Sequence, residues 1–299
     1  MFRPLTGLYE PSAVQQLPDG RFLVVEDERR HPFSVFTIDA GGRVQSNALT
    51  PSLLHMFSSF WELEDLEGLT LDRAGFVYAV TSHSRDDEGR RKKTREKLVR
   101  FRIEGNHVVD TSVVQGLRQA LTERHAVLAA AAEVLDVKGG DGLNIEALAI
   151  SADQSRMLIG FRGPLVDGRA IVASIENFAE VFDSDADLVI APVLDELDLG
   201  GLGIRGLSYV PAVGEYLVIG GPVSKADAEF GLWRWKGPGA SPCRVELPGL
   251  QGFAHAEGVS PADLAAGTQH VIIVSDDGDR KSHRDATYLV FDAALLTDP

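Results

Sequence analysis

Apolar and polar positions along this chain fall into one phrase that returns five times. Each phrase is a short turn that opens into an apolar strand. The five are Glu10-Pro11-Ser12-Ala13-Val14, Leu66-Glu67-Gly68-Leu69, Ile145-Glu146-Ala147-Leu148, Ile204-Arg205-Gly206-Leu207 and Ala256-Glu257-Gly258-Val259. A second apolar run follows each of them: Phe22–Val25, Phe76–Val80, Met157–Gly160, Tyr216–Ile219 and His270–Val274. After a polar loop comes a third segment in which apolar and polar residues alternate: Phe33–Ile38, Leu98–Ile103, Ala170–Ile175, Leu232–Trp235 and Tyr288–Phe291. Alternation with period two marks an antiparallel strand buried on one face. Four repeats continue into another β-like stretch, near Arg43-Val44, His107–Val109, Leu188–Ile190 and Arg244–Leu247.

Four strands per repeat is the blade of a β-propeller, and a fixed repeat decides architecture before any single motif does. The expected fold is all-β: one five-bladed propeller over residues 1–299, or six blades if the longest repeat hides a degenerate one. The fifth repeat reaches Pro299 without a fourth strand, while Phe2–Leu8 precede the first phrase. That N-terminal segment is predicted to supply the outer strand of the last blade, closing the ring and removing exposed sheet edges. The longest spacing, 79 residues from Glu67 to Glu146, contains an insert from Gly116 to Val137. There Leu117, Leu121, Leu128 and Leu135 share one helical stripe, which predicts an amphipathic helix on the rim. A shorter helix is expected around Leu53 to Leu63.

Composition narrows the setting. A formal charge of −15 argues against a nucleic-acid partner, because phosphate backbones are met by basic surfaces. The single cysteine, Cys243, excludes an internal disulfide and fits a reducing compartment. No stretch approaches the roughly 18 apolar residues of a membrane span, and the first residues lack a secretory h-region. A cytoplasmic protein without membrane association is expected, and a closed single domain is compatible with a monomer.

In a propeller blade the first strand starts, and the second ends, on the same face. Phrases and polar loops should therefore surround one mouth of the central channel. Glu67, Glu146 and Glu257 come from the phrases and Asp276 from a loop, an all-oxygen donor set suited to Ca²⁺ or Mg²⁺. Arg85, Arg162 and Arg205 are candidates for holding a small anionic ligand. His83 and Asp277 are candidates for moving protons. The competing expectation is that each Glu bonds a neighbouring blade and simply holds the ring together. Gly201-Leu-Gly-Ile-Arg-Gly206 matches a dinucleotide fingerprint, but a β-like Leu207–Val210 follows where a helix is required, so no nucleotide cofactor is expected. No G-x-S-x-G elbow exists. The basic run Arg90–Lys97, preceded by Asp86, Asp87 and Glu88, reads as a solvated loop or as a flap over the mouth.

The segments Asp65–Leu69, Thr81–Arg85, Leu143–Glu146, Gly160–Pro164, Gly200–Gly206 and Val274–Gly278 run through most of the chain. Together they resemble a bacterial propeller family of unknown function, DUF3616. More distantly the Glu-Gly-Leu phrase is similar to that of phytase-like and esterase-like propellers. The resemblance implies a propeller and, through the calcium-dependent phytases and lactonases of that architecture, channel carboxylates holding Ca²⁺. Arg205 departs from the pattern, since it stands where the other phrases carry glutamate and so breaks an all-carboxylate ring. The expected function is a divalent-metal-assisted hydrolase of phosphoester, lactone or ester substrates. The alternative is a non-catalytic binding or scaffold propeller for a small anion or a protein partner.

Overall fold

The apolar second strands become the interior of five antiparallel sheets. The computed structural model describes residues 1–26, 32–51, 58–136, 139–224, 229–250, 252–253, 255–265 and 268–296. After β1 (Arg3–Leu5), blade one comprises β2 (Pro11–Gln16), β3 (Phe22–Glu26), β4 (Phe33–Ile38) and β5 (Val44–Ala48). A short β6 (Thr50–Pro51) leads out of blade one and pairs in parallel with the outer strand of blade two. Blade two comprises β7 (Leu66–Leu71), β8 (Val77–Thr81), β9 (Leu98–Glu104) and β10 (His107–Val114). Blade three comprises β11 (Asn144–Ile150), β12 (Met157–Gly163), β13 (Ala170–Ile175) and β14 (Asp195–Leu197). Blade four comprises β15 (Gly203–Val210), β16 (Glu215–Gly221), β17 (Gly231–Trp235) and β18 (Cys243–Val245). Blade five comprises β19 (Ala256–Ala265), β20 (Thr268–Ser275) and β21 (Ala286–Asp292).

Blade five is completed by β1, which pairs antiparallel with β21 from Arg3↔Tyr288 to Leu5↔Ala286. The ring is thus five blades, closed by the N-terminal strand as expected. The inner strands β2, β7, β11, β15 and β19 meet one another in cyclic order. The apolar faces of adjacent blades make the core, with one buried cluster at each junction. Phe33, Phe60 and Phe101 sit between blades one and two, for example, and Leu5, Phe22 and Tyr288 between blades five and one.

One irregularity recurs in every inner strand. The pairing with the second strand slips between Pro11 and Ala13, Leu66 and Gly68, Ile145 and Ala147, Ile204 and Gly206, and Ala256 and Gly258. The extra residue is Ser12, Glu67, Glu146, Arg205 or Glu257, so each phrase is a β-bulge that bends the strand and re-aims one side chain. The following position is glycine or alanine for a steric reason. A Cβ on Gly206 would lie 2.1 Å from the Glu257 carbonyl oxygen, and one on Gly258 would lie 2.7 Å from the Val14 nitrogen. The inner strands therefore touch backbone to backbone. A hollow of about 10 Å³ lies beside the five bulges, room for no more than one water.

Several local expectations change. The insert forms two short helices, α1 (Leu117–Arg124) and α2 (Ala126–Glu133), because His125 is extended between them. Leu117, Leu121 and Leu128 are buried as the stripe predicted, but Leu135 lies beyond α2 and is 63% exposed. In blade three the outer strand is β14, since Leu188–Ile190 contributes only the isolated bridge Ile175↔Ile190. A further helix, α3 (Phe178–Ser184), fills that connection; its Phe178 and Phe182 rings pack edge-on against Tyr78 of blade two. Of the helix expected around Leu53–Leu63, residues 52–57 lie outside the described residues, and Ser59–Trp61 is a single 3-10 turn. Gly203–Val210 is strand, as the rejection of the dinucleotide fingerprint required. Among the described residues no helix is long and apolar enough to cross a membrane.

The close approach of the inner strands can be tested at Gly206. A Gly206→Ala variant is expected to lose ~1–3 kcal/mol of stability through overpacking against Glu257. Urea denaturation read by tryptophan fluorescence measures this, and an unchanged midpoint would show that the inner strands separate freely.

Candidate functional site

The five bulges bring one residue from every blade to the same end of the channel. Blades two to five contribute Glu67, Glu146, Arg205 and Glu257. Blade one contributes the uncharged Ser12. Arg205 lies at the centre of the charge distribution. Its Nη1 donates to Oε2 of Glu146, and its Nη2 lies 2.6 Å from Oε1 of Glu257. The field of Glu67 reaches it as well, and these carboxylates hold the guanidinium more firmly charged than usual despite its burial. Its face is covered by the Phe230 ring, with the guanidinium carbon 5.8 Å from the ring centre.

Glu146 is the most heavily engaged acid. Its Oε1 accepts from Arg162 Nη1 at 3.1 Å and from Asn144 Nδ2 at 2.8 Å, while Oε2 is taken by Arg205. Glu257 is buried to a similar depth. Burial pushes its carboxyl up to about 8, Arg205 opposes the shift, and Glu146 and Asp276 reinforce it. Two carboxylates thus share one buried guanidinium, and burial favours the protonated form of the second. Arg162 is the more accessible cation, with about a quarter of its side chain exposed.

The structure gathers Glu67, Glu146, Glu257, Asp276, Arg162 and Arg205 at this mouth and disperses the other candidates. His83 is fully buried in a left-handed conformation (φ 56°) behind blade two. Its Nδ1–H donates to the Thr81 carbonyl at 2.8 Å, and its Nε2 has no partner among the described residues. Burial pushes this imidazole down to about 4. Arg85 is committed to the insert: it donates to the Ala132 carbonyl and the Gly89 carbonyl, each at 3.1 Å, and lies 3.6 Å from Glu133. Asp277 braces blade five, accepting from the Thr287 amide at 2.8 Å and from its hydroxyl at 2.7 Å.

The basic run after Ser84 is neutralised locally. Arg90 pairs with Asp86 and Glu88, Arg91 with Glu96, and Lys92 with Glu64. Each long side chain lies on an acid of the same loop or of the segment before β7, so the loop is cross-braced by its own charges.

Of Glu10 and Ser12, the two polar residues of the first phrase, Ser12 is the bulge residue. Sequence reasoning passed over two participants. Asn144 supports Glu146, and its position two residues before that glutamate was the available signal. Arg280, from the loop after β20, pairs with the buried Glu26 at 2.9 Å and covers Tyr9 at 4.8 Å; nothing in its local pattern marked it.

The donors fit a divalent cation poorly as arranged. Calcium needs six to eight oxygens with spare lone pairs. Here an Arg205 nitrogen stands at both Glu146 and Glu257, where the metal would bridge them. Among the described residues no group of three or more His, Cys, Asp and Glu side chains is placed to hold a metal.

A family model described as "Protein of unknown function (DUF3616)" matches residues 102–292, more than half of the chain. No curated protein matches. Among solved structures, the chain is similar to a putative oxidoreductase (glucose dehydrogenase) from Thermus thermophilus. That match has 16% identity and a TM-score of 0.48, and it covers 97% of this chain and 99% of that one. It is also similar to the PQQ-bound aldose sugar dehydrogenase of Streptomyces coelicolor, with 18% identity, a TM-score of 0.46, and 97% and 98% coverage. At such identities and scores these likenesses carry no functional argument.

Two measurements follow from the Arg205 centre. Arg205→Met leaves Glu146 and Glu257 without their shared cation and is expected to cost ~3–5 kcal/mol, read by chemical denaturation. Glu257 ordinarily titrates at 4.5 but in the fold at about 8, so the folded state binds the extra proton between those values. Stability contributed by that proton is complete below pH 4.5 and is lost as pH rises toward 8. In Glu257→Gln this part of the decline should vanish. Parallel pH–stability curves for the two proteins would contradict the assignment.

Proposed function

The chain belongs to the DUF3616 family, and from its site we propose that it is a binding propeller whose ligand is a small, hydroxyl-rich molecule seated at the bulge-lined mouth. The observation that carries this reading is the Arg162–Glu146–Arg205–Glu257 chain. It ends in a partly exposed guanidinium and is flanked by Glu67 and Asp276. Both guanidiniums are already paired with the acids of the mouth, Arg162 with Glu146 and Arg205 with Glu146 and Glu257. A neutral polyol can donate to the carboxylates and accept from Arg162 without displacing those pairs.

A second reading has its own support. A carboxyl whose pKa burial raises to about 8, beside a second carboxyl group, suits general acid–base work, and ester or lactone hydrolysis could use it without a metal.

Thermal melting with myo-inositol, inorganic phosphate and Ca²⁺ as separate probes tests the binding reading. Inositol at about 100 Kd is expected to add ~2.7 kcal/mol, and Arg162→Gln to reduce its affinity about tenfold. Phosphate and Ca²⁺ are expected to leave the melting point unchanged. Stabilisation by phosphate or Ca²⁺ with none by inositol would overturn the polyol assignment.

A further inference from the structure

At the opposite end of the strands from the bulges, a groove of about 670 Å³ opens between blades five and one. It lies where the β4–β5 hairpin, the start of β20 and the end of β21 come together. Pockets of roughly 300–1,000 Å³ with an apolar wall and a few polar groups are the usual shape of small-molecule sites. Ile38, Leu264 and Val290 supply the apolar wall. Leu264 is 38% exposed, so part of that wall is open to solvent.

The polar groups of the groove are unequal. Asp39 is committed to its own hairpin, accepting from the Gly41 amide at 2.8 Å and the Arg43 amide at 2.9 Å. Asp292 accepts from the Ala294 amide at 2.8 Å, and the Tyr288 hydroxyl donates to the Gly42 carbonyl at 2.8 Å. Two groups are left over. Arg3 is exposed beside the Gly42 backbone, with no carboxylate paired to it among the described residues. His270 lies in the wall between this groove and a second hollow of about 220 Å³ at the lower end of the channel. Its Nδ1 is buried and has no partner among the described residues.

We propose that this groove binds a small amphipathic carboxylate, such as a medium-chain fatty acid. The chain lies along Ile38, Leu264 and Val290, and the carboxylate pairs with the guanidinium of Arg3. This site is separate from the bulge-lined mouth and does not depend on the polyol reading.

Isothermal titration with octanoate tests it, with 1-octanol as the uncharged probe of equal chain length. The expected result is saturable binding of one octanoate per chain, weaker binding of octanol, and affinity for octanoate reduced about tenfold in Arg3→Gln. Arg3 is exposed, so that variant keeps its fold. Val290→Trp, which fills the groove, is expected to abolish binding of both probes, with its melting point recorded to show that it folds. No octanoate binding by the native protein overturns the proposal. Equal affinity in the native protein, Arg3→Gln and a folded Val290→Trp also overturns it, because that pattern is non-specific adsorption.

Discussion

The buried guanidinium of Arg205 is the interaction around which the upper end of this ring is organised. Bulges in the inner strands turn acids from blades two, three and five toward one axis. Ionised carboxylates gathered in a site with little water repel each other and carry a large desolvation penalty. Arg205, from blade four, answers two of them directly, and burial raises the pKa of Glu257, which favours its protonated form and lowers the remaining repulsion. The departure of the fourth phrase from glutamate therefore belongs to the ring's charge balance. The contacts of Arg205 with Glu146 and Glu257 join blades three, four and five.

Steric closeness complements this electrostatic constraint. Glycine or alanine after each bulge lets neighbouring backbones meet, which leaves a hollow of about 10 Å³ beside the bulges. Outside that inner ring, stability comes from ordinary apolar burial at five blade junctions, and α1–α2 with α3 extend one of these clusters. Arg118 ties the insert to blade two: it donates to the His83 carbonyl and, at 2.6 Å, to the Ala132 carbonyl. Residues that read as site chemistry in sequence, His83 and Arg85 among them, thus belong to this joint.

Much of the architecture was legible beforehand because strand periodicity is a local property. Phe22–Val25 and His270–Val274 could only be buried strands, and β1 had no plausible place except beside β21. The errors fell where tertiary contacts outweigh local pattern. Leu188–Ile190 has strand composition, yet the partner edge of β13 is taken by β14. The leucine stripe foresaw a helix but not its break at His125.

The sequence by itself determined the propeller repeat, with five or six blades, the closure of the ring by the N-terminal strand, and the phrases that share one charged mouth. Each of these rests on repeated spacing and apolar alternation, which survive without knowledge of contacts. Only the tertiary structure decided which charges pair and which serve as braces. A side chain's role in a ring depends on distances across blades, and those distances come from bulges, whose single extra residue leaves no signal in hydrophobic period. That is why Arg205 reads in sequence equally as an anion ligand or a counter-charge, and only the fold shows it paired with Glu146 and Glu257.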